Sequence, residues 1–380
     1  MNNIEARQLL TTAHRLVIKI GSRVLVQRTG RPDVRRMREL VRQIAALRKE
    51  GREVVVVTSG AIGAGMQALG MRTRPTHLPD LQMAAAVGQS RLMATYGDLF
   101  AAKSCTVGQV LLTHDDLKHR TRHLNARNTM MNLLRHGIIP IVNENDVIAV
   151  DEIKFGDNDL LASLVSLLID ADALILLTTV DGLREPGANG RTKRVAFLEG
   201  ITDDTLALAN GKDSDLSTGG MASKLQSAAM VLHNGIHVAI ANGRSPDTIL
   251  RAVRGEDVGT FALAAHAKDN ALKGRKRWIA FFHRALGAVF VDDGARDAIL
   301  KKGRSLLPIG IRQVEGRFEQ GEVIDIRAID GTTIARGLTE YGSAELKLIK
   351  GKRSAEIAEL LGSRDYEEVI HRDNMVLQVH

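Results

Sequence analysis

The sequence predicts an α/β protein: an open, mostly parallel sheet with helices on both faces, followed by a small, mostly β domain. Strand and helix patterns alternate from residue 15 to about residue 260. The strand at residues 54–57 is apolar at every position, as expected of a parallel strand that is covered on both faces. After about Gly259 the pattern changes to short alternating segments separated by glycine turns, which predicts the second domain.

The first domain contains six predicted strands with five predicted helices between them. Three of the helices stop at a glycine, which a left-handed helix cap favours. The predicted strands are residues 15–20, 53–58, 106–112, 138–142, 173–178 and 237–241. The predicted helices are residues 33–50, 81–102, 123–135, 160–169 and 223–234.

The second domain is expected to have four strands and one helix. Its predicted strands are residues 288–291, 310–315, 322–328 and 332–338, and its predicted helix is residues 294–302. The expected division of the chain is a first domain at 1–262, a linker at 263–275 and a second domain, with a C-terminal extension, at 276–380.

Composition sets the class of protein. The chain has 380 residues, of which 44% are hydrophobic and 25% charged, as in a globular protein with a full core. No apolar run reaches ~18 residues, so no membrane span is expected. The single cysteine, Cys105, excludes an internal disulfide and predicts a cytoplasmic location. The net charge of +8 permits an anionic ligand such as a nucleotide or RNA.

The most informative motif is a pair of polar clusters. Residues 143–146 (NEND) directly follow an apolar strand, and residues 157–159 (DND) open an apolar helix. An open α/β sheet has its site at the carboxyl ends of its strands, so these amides and carboxylates predict recognition of a small polar ligand that carries both charges. The competing interpretation is that Asp159 is only a helix cap.

Two lysines stand out beside glycine-rich turns. Lys19 lies inside an apolar strand and is followed by Gly21, which indicates either a buried lysine paired with an anion or a lysine at an exposed strand end. Lys224 lies in the first turn of a helix after Gly219 and Gly220, where its charge opposes the helix dipole. That placement favours a phosphate site over a flexible loop.

Two further connections are candidate ligand contacts. Residues 58–65 (TSGAIGAG) join a strand to a helix whose N-terminus favours an anion, although a plain tight connection explains them too. Residues 177–182 (LTTVDG) are equally compatible with an ordinary turn and with a nucleotide contact.

Together these features suit phosphoryl transfer, which depends mainly on positioning and charge neutralisation. The motifs contain no obvious general base. A carboxylate acceptor needs none, because a glutamate side chain, with a pKa of about 4.3, is already ionised at neutral pH.

Seven segments resemble, in order, the motifs of the amino acid kinase family: KIGS, VTSGAIGAG, AAVGQSRL, LNARNT, PIVNENDVIAVDEIKFGDND, LLTTVDGL and TGGMASK. The NEND and FGDND pair is the most specific part. The tail from about Lys276, including VDDGARDAIL and SLLPIGI, resembles a PUA domain. The resemblance implies the amino acid kinase fold, with ATP-dependent phosphorylation of the γ-carboxylate of L-glutamate at the first step of proline synthesis. It further implies Mg²⁺ with ATP, feedback inhibition by proline and a homotetramer.

The resemblance also implies roles for individual residues. Lys19 and Lys224 would hold the transferring phosphoryl group, and Asp159 would orient both lysines. Asp146 would pair with the ammonium group of glutamate, and Asn158 and the backbone around Ser59 would donate to its α-carboxylate. The residues expected to bind glutamate are Ser59, Gly60, Asn143, Asp146 and Asn158. The residues expected to bind ATP are Lys19, Gly21, Ser22, Thr178, Thr179, Thr218, Gly219, Gly220, Met221, Ala222, Ser223 and Lys224.

Three alternatives stay open. A related kinase of the family would act on uridylate, aspartate, carbamate or N-acetylglutamate, which the NEND and FGDND pair disfavours. An RNA-binding protein would use the PUA-like domain and the basic run Lys273, Arg275, Lys276 and Arg277, but aromatic residues for stacking make up only 3% of the chain. A kinase fold retained as a regulatory subunit is disfavoured by the intact set of Lys19, Asp159 and Lys224.

Overall fold

The chain divides into two compact units, Met1–Ala271 and Leu272–His380. Each unit has its own cluster of buried apolar side chains. No helix among the described residues is long and apolar enough to cross a membrane. The structure, a computed structural model, describes residues 2–27, 32–149, 158–187, 191–209, 220–264, 276, 279–280, 285–353, 356 and 367–377.

The first unit is built on an eight-stranded sheet with the strand order β3-β4-β2-β1-β5-β9-β10-β8. Its neighbouring strands are parallel except for β9 and β10, which confirms the predicted mostly parallel sheet. A separate hairpin pairs β6 with β7. The strands are β1 (Arg15–Ile20), β2 (Glu53–Val57), β3 (Val107–Leu112), β4 (Ile139–Glu144), β5 (Ala173–Thr178), β6 (Arg184–Pro186), β7 (Thr192–Arg194), β8 (Phe197–Leu198), β9 (His237–Asn242) and β10 (Thr260–Ala262).

Helices connect the parallel strands, and the five predicted ones are confirmed with ends shifted by at most three residues. Further short helices lie at the chain start and after β1, β2, β3, β8 and β9. Of these, the sequence predicts only the helix after β2. The described helices of this unit are α1 (Asn3–Gln8), α2 (Ser22–Leu25), α3 (Val34–Lys49), α4 (Ala61–Ala68), α5 (Leu78–Ala101), α6 (His114–Lys118), α7 (Arg120–Arg135), α8 (Asn158–Leu168), α9 (Asp203–Ala209), α10 (Met221–Leu232) and α11 (Thr248–Val253).

The register of the central strands aligns the residues of the site. Lys19 on β1 lies opposite Val57 on β2 and opposite Leu176 on β5. Val57 in turn lies opposite Val142 on β4. Because all four strands are parallel, the segments that follow them start at the same edge of the sheet. Lys19, the turn after β2 and the polar end of β4 are therefore neighbours.

The second unit is a small β domain with the strand order β12-β11-β13-β14-β15, as the sequence predicts for a mostly β domain. Its apolar cluster takes residues from all five strands, from two helices and from the segments that connect them. The elements are β11 (Gly287–Val291), α12 (Asp293–Lys302), β12 (Ile311–Gly316), β13 (Val323–Ala328), β14 (Thr333–Leu338), α13 (Ser343–Ile349) and β15 (Met375–Leu377). The last helix and strand were not predicted.

Candidate active site

A buried carboxylate between two lysines forms the centre of the site. Asp159 Oδ1 lies 2.6 Å from Lys19 Nζ, and Asp159 Oδ2 lies 2.9 Å from Lys224 Nζ. Asp159 has no solvent exposure, and each lysine is only 5% exposed. Lys19 is therefore a buried lysine paired with an anion rather than one at an exposed strand end. We call Lys19, Asp159 and Lys224 the triad.

The Asp159 carboxyl is ionised despite its burial. Burial by itself would raise its pKa, but the positive charges and hydrogen bonds of Lys19 and Lys224 outweigh that effect and hold the pKa below its usual value. Two ammonium groups then face one carboxylate, so the triad carries one excess positive charge in a nearly dry environment. Such a charge favours an anion from outside the protein.

Three separate elements bring the triad together. Lys19 is the penultimate residue of β1, Asp159 is the second residue of α8, and Lys224 lies in the first turn of α10. A buried hydrogen bond from Ser163 Oγ to the Ser227 carbonyl, 2.8 Å long, ties α8 to α10. Both oxygens of Asp159 contact lysines from other elements, which is a use of the side chain that a helix cap alone does not require.

A cluster of amides lies next to the triad. The nitrogen of the buried Asn158 side chain faces the Thr58 carbonyl at 2.5 Å, Ser59 Oγ at 3.1 Å and Asn143 Oδ1 at 2.9 Å. An amide nitrogen carries two hydrogens, so these three protein acceptors use its donor capacity. Asn158 therefore offers a ligand its oxygen and does not donate to a carboxylate, contrary to what the resemblance implies.

The turn after β2 shapes one wall of this cluster. Gly60 precedes α4 in a left-handed conformation with φ of +101°, which a residue without a side chain adopts readily. Thr58 is fully buried, and its hydroxyl lies 2.8 Å from the hydroxyl of Tyr96 on α5. Burial raises the pKa of Tyr96 to about 12, so this tyrosine stays protonated at neutral pH. The next residue, the half-buried Ser59, lies with its Oγ 3.1 Å from Asn158 Nδ2.

Sequence reasoning missed Gln89, which belongs to the same cluster. Gln89 Oε1 accepts a hydrogen bond of 2.8 Å from Asn143 Nδ2. The available signal was the AAVGQSRL segment on α5, which contains Gln89 but gave no reason to place a long helix against the end of β4. Asp146, the remaining residue expected to bind glutamate through its side chain, is half-buried two residues beyond β4.

The residues expected to bind the nucleotide lie on the other side of the triad. The Gly21 amide donates to the Leu177 carbonyl at 3.1 Å, and a Cβ at Gly21 would lie 3.1 Å from that oxygen. Thr178, the last residue of β5, and Thr179, which follows it, are half-buried, and Ser22 is exposed at the start of α2. The turns after β1 and β5 lie at the same edge of the sheet, because the two strands are parallel neighbours.

The loop before α10 is only partly described. Gly220 is extended and directly precedes the helix without any side-chain cap, so the first amide groups of α10 point away from the helix body. Three half-buried residues, Met221, Ala222 and Ser223, form its first turn together with Lys224. Thr218 and Gly219 lie outside the described residues, as do Lys273, Arg275 and Arg277 of the basic run.

A metal site of protein ligands alone is not seen in the part of the chain that the structure describes. There, no group of three or more His, Cys, Asp and Glu side chains is arranged to hold an ion.

Comparison with known proteins gives matches to both units. Residues 14–242 match the amino acid kinase family, and residues 287–361 match the PUA domain. The chain is 45% identical over 379 residues to a glutamate 5-kinase of Moorella thermoacetica, covering 99% of this chain and all of that protein. It is 45% identical to a glutamate 5-kinase of Citrifermentans bemidjiense, covering 98% of this chain and 99% of that protein. A glutamate 5-kinase of Myxococcus xanthus is 43% identical, with 98% of both chains covered.

Two solved structures are also similar, each with 18% sequence identity. They are a UMP kinase from Bacillus anthracis, with a TM-score of 0.44 over 68% of this chain and 98% of that chain, and a carbamate kinase from Giardia lamblia bound to AMP-PNP, with a TM-score of 0.48 over 67% of this chain and 99% of that chain.

Proposed function

The chain belongs to the amino acid kinase family, among the glutamate 5-kinases, and we propose that its site transfers the γ-phosphoryl group of ATP to the γ-carboxylate of L-glutamate. The product is L-glutamyl 5-phosphate, at the first step of proline synthesis. Similarity to glutamate 5-kinases over 98–99% of the chain supports the choice of substrate.

The triad is the observation that carries the proposal. As the phosphoryl group moves from ATP to the acceptor, negative charge is spread over its oxygens, and the reaction needs fixed positive charge more than a proton acceptor. Lys19 and Lys224 supply that charge from either side of Asp159, within 2.6 and 2.9 Å of its oxygens. Before ATP binds, Asp159 holds the two ammonium groups close together by pairing with both.

The amide cluster is suited to hold the acceptor. The ammonium group of glutamate needs acceptors, which the Asp146 carboxylate and the Asn158 oxygen can supply. The γ-carboxylate is then directed towards the triad. Because this carboxylate is ionised at neutral pH, no base is needed to activate it.

ATP is proposed to bind along the turns that contain Gly21, Thr178 and Gly220, with its γ-phosphate at the triad. The uncapped start of α10 supports this placement, since the amides and the positive end of a helix dipole favour phosphate. Mg²⁺ is proposed to enter on the ATP phosphates, because this ion retains several waters and is usually held through substrate phosphates. There it would neutralise phosphate charge together with the lysines.

Four further properties are proposed from the family resemblance and the sequence. Proline, the end product, acts as a feedback inhibitor, and the enzyme is a homotetramer. A cytoplasmic location agrees with the single cysteine, Cys105. The kinase domain is proposed to occupy residues 1–262 and the PUA domain residues 276–380.

The acceptor is tested by measuring ADP release from ATP with one acceptor at a time. We expect release with L-glutamate and none above background with N-acetylglutamate, aspartate, carbamate or uridylate. Hydroxylamine added to the glutamate reaction should trap the acyl phosphate as a hydroxamate, which identifies the phosphorylated group. ADP release that depends on N-acetylglutamate, without any response to glutamate, would refute the proposed function.

A further inference from the structure

Three side-chain amides in the site have a single possible orientation. Asn158 Nδ2 lies 2.5 Å from the Thr58 carbonyl oxygen, which can only accept a hydrogen bond. The same nitrogen faces Asn143 Oδ1, so the nitrogen of Asn143 points the other way, to Gln89 Oε1. One backbone carbonyl therefore fixes the direction of the whole chain of amides, and Gln89 is its last member.

This direction leaves a donor at the end of the chain. Gln89 Nε2 is buried, and among the residues that the structure describes it has no hydrogen-bond partner. Buried donors without a partner are rare in folded proteins, and those that occur call for an explanation such as a ligand. An acceptor atom from a ligand would complete the set of hydrogen bonds that the protein leaves unfinished.

The helix that carries Gln89, α5, packs closely against α4. At Gly88 the backbones of α4 and α5 are so near that a Cβ would lie 1.8 Å from the Ala61 carbonyl oxygen. One residue later, Gln89 is directed towards the end of β4. Its position is therefore set by backbone packing, and its orientation by Asn143.

We propose that the Gln89 amide nitrogen donates to the α-carboxylate of the amino acid acceptor and is thereby a specificity-determining residue. The inference rests on the proposed function and deepens it. The triad attracts the γ-carboxylate, while Asp146 and the Asn158 oxygen suit the ammonium group. The α-carboxylate needs a donor, and the Asn158 nitrogen is already used by the protein. Gln89 supplies it.

The first test is the variant Gln89→Glu. A glutamate side chain keeps an oxygen that accepts from Asn143 but replaces the donor by an anionic oxygen that repels a carboxylate. We expect the KM for glutamate to rise tenfold or more, on the order expected for a lost hydrogen bond to a charged group, with the KM for ATP unchanged. The control is Ser90→Glu, which adds the same charge at the next, exposed position of α5.

A second measurement separates recognition from simple damage to the site. L-isoglutamine has an α-carboxamide in place of the α-carboxylate and keeps the γ-carboxylate. The ratio of kcat/KM for glutamate to kcat/KM for isoglutamine should fall about tenfold or more in Gln89→Glu, because the introduced carboxylate repels the α-carboxylate of glutamate but can accept a hydrogen bond from the neutral α-carboxamide of isoglutamine. Gln89→Met, which has no donor and no charge, should also lower the ratio, because the lost hydrogen bond is stronger to the charged carboxylate than to the neutral carboxamide. This variant keeps the test available if Gln89→Glu does not fold.

The outcomes separate the two proposals. If the wild-type enzyme shows no glutamate-dependent ADP release, the proposed function fails and the inference fails with it. If the wild type is active and the variants lower kcat/KM for both acceptors equally, the inference alone is overturned, since Gln89 would then only support Asn143. A fall in the ratio that spares Ser90→Glu supports a direct contact between Gln89 and the α-carboxylate.

Discussion

Asp159 and its two lysines differ in what they do for stability, although all three are proposed to serve catalysis. A buried charge is tolerated when it is paired, and removing one partner of a buried pair leaves the other uncompensated. Asp159 balances two ammonium groups, so its loss leaves two like charges close together. Either lysine, by contrast, is one of two cations facing one carboxylate, and its loss leaves a neutral pair.

This asymmetry gives a prediction for Asp159→Asn, Lys19→Met and Lys224→Met. We expect Asp159→Asn to lower the free energy of unfolding by about 3–5 kcal/mol, whereas the two lysine variants retain or slightly gain stability. All three should lower kcat by orders of magnitude, because each disturbs the charge that the transferring phosphoryl group meets. Urea unfolding and ADP release measure the two effects separately.

The pH dependence provides the control for this prediction. The lowered pKa of Asp159 means that its contribution to stability is fully present above the unfolded pKa of about 3.9 and is lost as the pH falls through the folded pKa. The difference in unfolding free energy between wild type and Asp159→Asn should therefore be constant from pH 7 to pH 5 and shrink below about pH 4. Equal stability of the two proteins at pH 7 would contradict the role given to Asp159.

At the scale of elements, α5 connects packing to the site. It meets α4 at two points where only glycine fits: a Cβ at Gly65 would lie 1.7 Å from the Ala84 carbonyl oxygen, and one at Gly88 would lie 1.8 Å from the Ala61 carbonyl oxygen. The same helix carries Gln89 and Tyr96, which contact Asn143 and Thr58. A shift of α5 should therefore displace Gln89 and Tyr96 and change the hydrogen bonds of the amide cluster.

We expect Gly88→Ala to destabilise the protein by about 1–3 kcal/mol, because the added methyl group must push the two helices apart. It should also raise the KM for glutamate through the displacement of Gln89. The matched control is Gly97→Ala on the same helix, where a Cβ meets nothing within 4 Å. That change should stabilise the protein by up to about 1 kcal/mol through helix propensity. Similar thermal melting curves for the two variants would refute the packing argument.

The sequence predicts the elements that are long enough to show a hydrophobic pattern and misses the short ones. The strands at the centre of the first sheet have apolar runs long enough to recognise, and β1 and β5 have the predicted ends. β8 and β10, with two and three residues, are too short to show a periodicity in the sequence. The antiparallel direction of β10 leaves no signal in the sequence either. α13 packs against β12, and β15 pairs with β14 at the edge of the second sheet, so both depend on contacts distant in sequence.

The same limit applies to the site. Lys19, Asp159 and Lys224 stand out in the sequence because charged residues beside apolar strands and helices need partners, and the structure brings them together. The orientation of the Asn158 amide is different, because it depends on the Thr58 carbonyl, which is 100 residues away in sequence. Gln89 is likewise placed by the packing of two helices.

At the scale of the whole molecule, the positions proposed for glutamate, ATP and phosphoryl transfer all fall within Met1–Ala271. The apolar cluster of this unit takes its residues from Ala6 to Phe261, whereas that of the other unit runs from Val289 to Met375. Each unit thus has the buried apolar surface that independent folding requires. The residues of the triad and of the amide cluster all belong to the first unit.

We therefore expect a fragment of residues 1–271 to fold and to phosphorylate glutamate with a kcat/KM within about tenfold of the full chain, since the proposed binding positions are complete within it. A fragment of residues 272–380 should unfold in a single cooperative transition but release no ADP. Circular dichroism melting curves and the ADP assay test both statements. The inactive control is Lys224→Met in the fragment of residues 1–271. A folded 1–271 fragment without activity would show that catalysis needs a contribution from the second unit, and the functional assignment would then have to include residues beyond the triad and the amide cluster.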